Sequence, residues 1–451
     1  MSNQVRSRVN RCALRCISAL ALTWSTAHAT PLFELVETSD SAELQSLKIN
    51  PILAQNNTDA ITIAMSADIQ FNVEIEERIT NDKGFATYVG ACENAPAGSF
   101  IVTVGNGTAV GRFIDPAGQT YAITPQPSGA LLHTVNGAEH AGCAVNEPAP
   151  LPNLDLIPID TAPTESVTSR FDVMVFFTPA ALADAGSEGG MDVIVENLEV
   201  TTNEAFQNSN IDASIRIVHA AVTNYNEIGV SINTTLERLR ETDDGFMDDV
   251  HPLRDDYGAD MVALITTEDA SGCGLASVLN HPMLQFAPFA FSVSRIDCAI
   301  GNLTFSHEIG HNMGCAHDAP NAGVTGAYPY SFGFQGAGFR TMMATAGGPR
   351  IPHYSNPNVL FQGSPTGSPI DGANPAHNAM SINQLRKTIA SWRPETACLD
   401  FNLDGESSID GADLAVLLAS WGGPGAADFN GDGVINGADL ALLLANWGAC
   451  P

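Results

Sequence analysis

His307-Glu308-Ile309-Gly310-His311-Asn312-Met313-Gly314-Cys315-Ala316-His317-Asp318 places three imidazoles and a carboxylate at fixed intervals. On a helix of about 3.6 residues per turn, positions 307 and 311 lie one turn apart on one face, so two imidazole nitrogens reach the same ion. Glu308 stands beside them. Gly314 can adopt the left-handed backbone that stops a helix, which turns the chain so that His317 swings back as a third ligand. Three protein ligands leave one position of a tetrahedral zinc open to water, whose pKa then falls toward about 7. A neighbouring carboxylate takes the proton as that water attacks a carbonyl. A bare HExxH occurs by chance on helix surfaces, whereas the extended HExxHxxGxxH is far rarer. The stretch predicts one catalytic Zn2+, with His307, His311 and His317 as ligands and Glu308 as general base.

Downstream, Phe339-Arg340-Thr341-Met342-Met343-Ala344 follows about twenty-five residues after His317. Together the two stretches resemble the metzincin metallopeptidases, in which a tight turn puts a methionine beneath the metal. The resemblance assigns that place to Met343, with Met342 in the next register. Asp318 is similar to the reprolysin (adamalysin) branch, where this residue makes structural hydrogen bonds. Tyr328-Pro329-Tyr330-Ser331-Phe332-Gly333 and Pro349-Arg350-Ile351-Pro352-His353-Tyr354-Ser355-Asn356-Pro357 are similar to secreted bacterial reprolysin-like enzymes, including the peptidyl-Asp metalloendopeptidases. The resemblance covers roughly residues 168 to 396. It implies an α/β domain of mixed sheet and helices with the zinc helix at the cleft, and endopeptidase action on protein or peptide. His353 is read as surface or pocket lining, not as a fourth ligand.

Periodicity organises this region. Arg170 to Thr178 reads as a buried strand, Met191 to Asn208 as a helix, Ala213 to Val222 as a strand and Asn233 to Arg240 as a helix. Ala259 to Thr266 is a continuous apolar run, as in an interior strand. Phe291-Ser292-Val293-Ser294 is expected at the sheet edge beside the cleft, where an extended peptide would pair. A helix over Asn378 to Trp392 closes the module.

Upstream, Arg6, Arg8, Arg11 and Arg15 precede an apolar run from Cys16 to Trp24 and then Ala27-His28-Ala29, the order of a signal peptide over residues 1–29. The run is too short to span a bilayer, so a secreted, extracellular product is expected, with no transmembrane segment. Residues 30–165 alternate in short runs broken by Gly-Asn-Gly and Pro-Ala-Gly turns and end in a proline-rich linker. They read as a β-rich propeptide ahead of a peptidase domain over 166–396. The net charge of −31 excludes nucleic acid as a partner.

Of nine cysteines, Cys273 and Cys298 are expected to bridge the active-site subdomain, and Cys398 and Cys450 to clasp the C-terminal module. Cys143 has two readings: a disulfide to Cys92, or a thiolate on the zinc in a latent precursor, as in many metzincin propeptides. Cys315 reads as a small buried hydrophobe.

Residues 397–451 hold a repeat. Asp400-Phe401-Asn402-Leu403-Asp404-Gly405 and Asp428-Phe429-Asn430-Gly431-Asp432-Gly433 each run into Gly-Ala-Asp-Leu-Ala and an apolar helix ending in Trp-Gly. Oxygen ligands at loop positions 1, 3 and 5, a glycine at 6 and a carboxylate at 12 suit Ca2+. The second loop supplies Asp428, Asn430, Asp432, the Val434 carbonyl, Asn436 and Asp439. Counted from Asp400, the first loop offers Asn402 and Asp404 but carries Asp413 at position 14, two residues late. The repeats resemble a type I dockerin, which implies docking to a cohesin-like scaffold or cell-surface protein. Leu414, Leu417, Leu418, Trp421, Leu440, Leu443, Leu444 and Trp447 are expected to pack the two helices together.

Two other functions fit parts of this pattern: an adhesion or assembly protein that binds without cutting, and a zinc amidohydrolase on non-peptide amides. An intact Glu308 disfavours the first, because binding alone needs no general base.

Overall fold

The computed structural model describes residues 30–38, 44–50, 53, 59–64, 70–81, 83–95, 98–126, 129–135, 168–267, 272–394, 401–404, 408–430 and 432–449. The signal-peptide segment, the linker, Cys143, Cys398, Asp400 and Cys450 lie outside these residues. The chain divides into two compact units, one running from Thr30 to Glu395 and the other containing Thr396 to Pro451.

Ten strands, β1 (Thr30–Pro31), β2 (Phe33–Thr38), β3 (Leu44–Ile49), β4 (Ala60–Ala64), β5 (Gln70–Thr80), β6 (Ala86–Cys92), β7 (Phe100–Gly105), β8 (Thr108–Ile114), β9 (Thr120–Gln126) and β10 (Gly129–Thr134), form one sheet. Its order is β1-β4-β5-β6-β7-β8-β9-β10-β3-β2, antiparallel except for β1 on β4. The hairpin between β7 and β8 turns on Asn106-Gly107, with φ of 49° and 74°. Both residues must sit in the left-handed region for a two-residue turn whose twist suits the strands, which is why Asn-Gly stands there. Cys92 is buried and unpaired, and burial pushes its thiol up to about 12. Its expected partner, Cys143, lies outside the described residues.

The second sheet has the order β12-β11-β13-β15-β14, from β11 (Ser169–Phe177), β12 (Ala213–Val222), β13 (Met261–Thr266), β14 (Gly274–Ala276) and β15 (Phe291–Arg295). The first four run parallel and β14 antiparallel. Side chains alternate across the strand, so Val173, Val175 and Phe177 enter one core while Met174 and Phe176 enter another. Helix α1 (Pro179–Asp184) follows β11, capped by the Thr178 side chain. Helices α2 (Glu188–Asn208), α6 (Thr304–Asn312) and α7 (Asn378–Ile389) share the first core. Helices α3 (Ile232–Arg240) and α4 (Val250–Asp256) share the second, and α5 (Ile296–Gly301) follows β15.

The edge was misplaced by sequence reasoning. Phe291 to Ser294 is interior, hydrogen-bonded on both sides, and the edge is the three-residue β14. A segment so short carries no alternation to read.

The N-terminal sheet docks on α2. Phe85 and Val110 are buried in the same core as Phe171, Leu198 and Phe206. Across this seam the Asn197 side chain donates to Thr103 Oγ1 (3.0 Å) and to the Val110 carbonyl (3.2 Å), and Lys83 pairs with Asp192 at 2.9 Å.

In the other unit, helices α8 (Gly411–Ala419) and α9 (Gly437–Ala445) start at reciprocal caps, Asp410 with Asp413 and Asn436 with Asp439. Leu417 and Leu443 are buried with Ile409 and Ile435, flanked by Leu414 and Leu440. Leu418, Trp421, Leu444 and Trp447 depart from expectation: each is about half exposed.

Beneath the second sheet Asp260, 3 % exposed, accepts from the backbone N–H of Asp172 (3.0 Å) and of Arg393 (3.3 Å). Burial raises its carboxyl to about 8, opposed by those bonds and by Arg254, and reinforced by the charge of Asp172. The folded chain therefore holds this proton where the unfolded chain, with a pKa of about 3.9, releases it. The associated stability is full below about pH 4 and is lost as pH rises to about 8. Urea midpoints at pH 5 and pH 8 should differ less in Asp260→Asn than in the natural chain.

Candidate active site

Helix α6 is short because Gly314, at φ 87°, ends it. A Cβ there would also sit 2.8 Å from Ala327 Cβ and 2.9 Å from Leu385 Cδ1, so the turn is both left-handed and tight. The turn delivers His317 to the other two histidines. His317 Nε2 lies 3.1 Å from His307 Nε2 and 3.2 Å from His311 Nε2. Three nitrogens each about 2.0–2.1 Å from a tetrahedral zinc would be separated by roughly 3.3 Å, so the donor set fits that ion.

The ring tautomers are prepared by the backbone. His307 Nδ1 donates to the Met342 carbonyl at 2.7 Å, and His311 Nδ1 to the Cys315 carbonyl at 2.8 Å. His317 bonds the backbone of Asn321. With Nδ1–H so engaged, each Nε2 lone pair faces the shared point. The rings are also held neutral. Burial, then the charge of Arg350, drives His317 down to about 4, and the same causes with the neighbouring histidines hold His307 well below its ordinary value. His311 is lowered likewise, by burial and by His317.

Two glycines give the site its clearances. A Cβ on Gly274 of the edge strand would lie 2.5 Å from Glu308 Oε1, so the bare backbone of β14 makes room for that carboxylate. A Cβ on Gly310 would lie 2.6 Å from Met343 Sδ and 3.2 Å from Tyr354. The methionine sulfur thus rests on α6 between His307 and His311. Tyr354, fully buried, donates through its hydroxyl to the Ser306 carbonyl at 2.7 Å and props the helix from below. The Cys273–Cys298 disulfide ties the edge strand to α5.

Asp318 makes the structural bonds expected of it. It accepts from Thr345 N (2.9 Å), from Asn321 Nδ2 (2.6 Å) and from Gln335, which clamps the third-histidine turn to the chain beyond Met343. Cys315 is buried and burial raises its thiol, as expected of an inert residue. His353 is buried rather than surface, packed on Phe361, and takes no part in the histidine cluster. Sequence reasoning missed Gly274, Gly310 and Arg350, because their importance lies in neighbours remote in the chain. The glycine of Cys273-Gly274-Leu275 was the one available signal.

In the C-terminal repeats, Asp439 Oδ1 accepts from Phe429 N and Asn430 N, and its Oδ2 from Asn436 N. Asp413 makes the same three bonds with Leu403, Asp404 and Asp410. The structural counterpart of Asp428 is therefore Asn402, and counted from there Asp413 occupies position 12. The first loop has no insertion; matching it by its DxNxDG string set the register two residues early. Asp404, Asp410 and Asp413 come together.

A family model described as metallo-peptidase family M12 matches residues 167–355. The chain is 32 % identical over 309 residues to a peptidyl-Asp metalloendopeptidase of Stenotrophomonas maltophilia (strain R551-3), spanning 66 % of this chain and 71 % of the relative. A peptidyl-Asp metalloendopeptidase of Xanthomonas campestris pv. campestris is 32 % identical over 302 residues, spanning 65 % and 69 %. Metalloproteinase-II from Bacteroides fragilis aligns at a TM-score of 0.35 with 13 % identity, over 66 % of this chain and 88 % of that one. That likeness is too slight to define a fold.

The clearances make a paired prediction. Gly274→Ala should keep its zinc and lose turnover, because the methyl displaces Glu308. Gly310→Ala should weaken zinc retention, because it displaces the methionine under the ligands. Metal content by mass spectrometry, set beside peptide hydrolysis, separates the two.

Proposed function

Because the chain belongs to metallo-peptidase family M12 and is a zinc metalloendopeptidase, we propose that His307, His311 and His317 hold the zinc and that Glu308 is its general base. The convergence of three Nε2 atoms beside a buried carboxylate carries this reading. Bound there, zinc supplies a polarised water and charge stabilisation for the developing oxyanion. Glu308 takes the proton of the attacking water and later delivers it to the leaving amine nitrogen, so no covalent intermediate forms. Met343 supports the histidines from beneath. The unpaired edge of β14 receives the extended peptide, whose main chain would add to the sheet.

The relatives carry the name peptidyl-Asp, and cleavage beside acidic residues is proposed for this chain. The chain is further proposed to be exported as a latent precursor, with residues 30–165 as its propeptide. The zinc-thiolate role of Cys143 belongs to the same proposal. The test is Glu308→Gln: zinc at one per chain, with kcat/KM on an Asp-containing peptide down by at least about 10²-fold. Retained turnover would remove Glu308 from its role.

The C-terminal repeats are proposed to bind Ca2+ and to serve as a dockerin-like anchor for a cohesin-like partner. The matching bond sets of Asp413 and Asp439 support two equivalent loops, with Asn402, Asp404, Asp410 and Asp413 in the first and Asp428, Asn430, Asp432, Val434, Asn436 and Asp439 in the second. Asp439→Ala and Asp413→Ala should each remove one calcium equivalent in titration calorimetry of the full chain.

A further inference from the structure

A cavity of about 280 Å³ lies at the seam between the N-terminal sheet and the catalytic module, well above the ~10–15 Å³ that one water needs. Thr120 and Val135 wall it on one side, and Asn302, from the link between α5 and α6, on the other. Three of the lining residues are arginines: Arg112 from β8, and Arg340 and Arg350 from the chain flanking the methionine turn. No acidic residue is among the described residues that line it.

Arg112 carries the argument. It is 5 % exposed, its Nη2 donates to the Arg350 carbonyl at 2.9 Å, and its buried Nη1 meets no partner among the described residues. Burial, and then the like charges of Arg350 and Arg340, lower this guanidinium to about 9. A buried cation is stable when paired, and the planar fork of a guanidinium matches the oxygens of a carboxylate or phosphate.

We propose that the seam cavity binds an oxoanion between Arg112 on one wall and Arg340 and Arg350 on the other, and that the anion fastens the N-terminal module to the catalytic one. Such a ligand fits only the docked arrangement, so it stabilises that arrangement by mass action, and its loss loosens the seam. The site does not depend on the N-terminal module being a propeptide, since both walls belong to one chain.

The test uses the full chain as Glu308→Ala, which on the reading above does not cut itself. Inorganic phosphate and succinate are titrated separately by calorimetry, with thermal unfolding followed against sodium chloride of equal ionic strength. Saturable binding is expected, with a rise in Tm of about 2–4 °C at saturation. Tighter phosphate indicates a tetrahedral anion, and tighter succinate a carboxylate. Arg112→Gln should raise the Kd at least about tenfold and abolish the rise, while Lys83→Gln, which breaks the seam ion pair with Asp192, binds as the natural chain does. Circular dichroism confirms folding, and Arg340→Gln repeats the test from the opposite wall if Arg112→Gln is unfolded. A response equal to that of chloride, or a folded Arg112→Gln that binds within about threefold of the natural chain, overturns the proposal.

Discussion

Two imidazole nitrogens within 3.2 Å of a third are tolerable only if all three rings are neutral and each turns its Nε2 to the shared point. Burial supplies the first condition, since it disfavours each imidazolium. Backbone carbonyls supply the second at His307 and His311 by engaging Nδ1, while His317 bonds the backbone of Asn321. Those carbonyls come from the methionine turn and from the residue after Gly314, so the turn that ends α6 and the turn beneath it are conditions of the ligand geometry. Asp318 joins the two turns directly through Thr345.

The same economy of space shapes the rest of the cleft. The edge strand approaches Glu308 so closely that only a glycine backbone fits at 274, and the disulfide beside it keeps the strand at that distance. On the opposite side, α2 is covered by two sheets at once. Its polar residues Asn197, Thr202 and Glu204 are as buried as its apolar ones, and Asn197 spends its donor across the seam. The N-terminal sheet and the catalytic module therefore share a core, and like charges meet where that core ends, at Arg112, Arg340 and Arg350.

Much of this was legible. The zinc helix, its glycine stop and the strands at 169–177, 213–222 and 261–266 follow from local spacing, because helix and strand periods place their residues without reference to the rest of the chain, and the family resemblance supplied the methionine turn. Readings failed where a remote partner decided. The three-residue edge strand has no period of its own. The first acidic loop was aligned by its DxNxDG string, whereas the helix cap at Asp413 sets the register. Leu418 and Leu444 fall within an apolar run, but each short helix buries only one narrow face, and Trp421 and Trp447 lie past the helix ends.

The residue types and intervals of the sequence alone determined that one helix face presents two histidines with a carboxylate beside them, that a glycine returns a third histidine, and that twin acidic loops follow. Only the tertiary structure decided which strand stands at the cleft, which methionine sulfur lies under the helix, which loop residue begins each repeat, and that three arginines from two modules face one cavity. Spacing along the chain governs what a single element can present. Contacts between elements depend on how those elements pack, and no interval in the sequence encodes them.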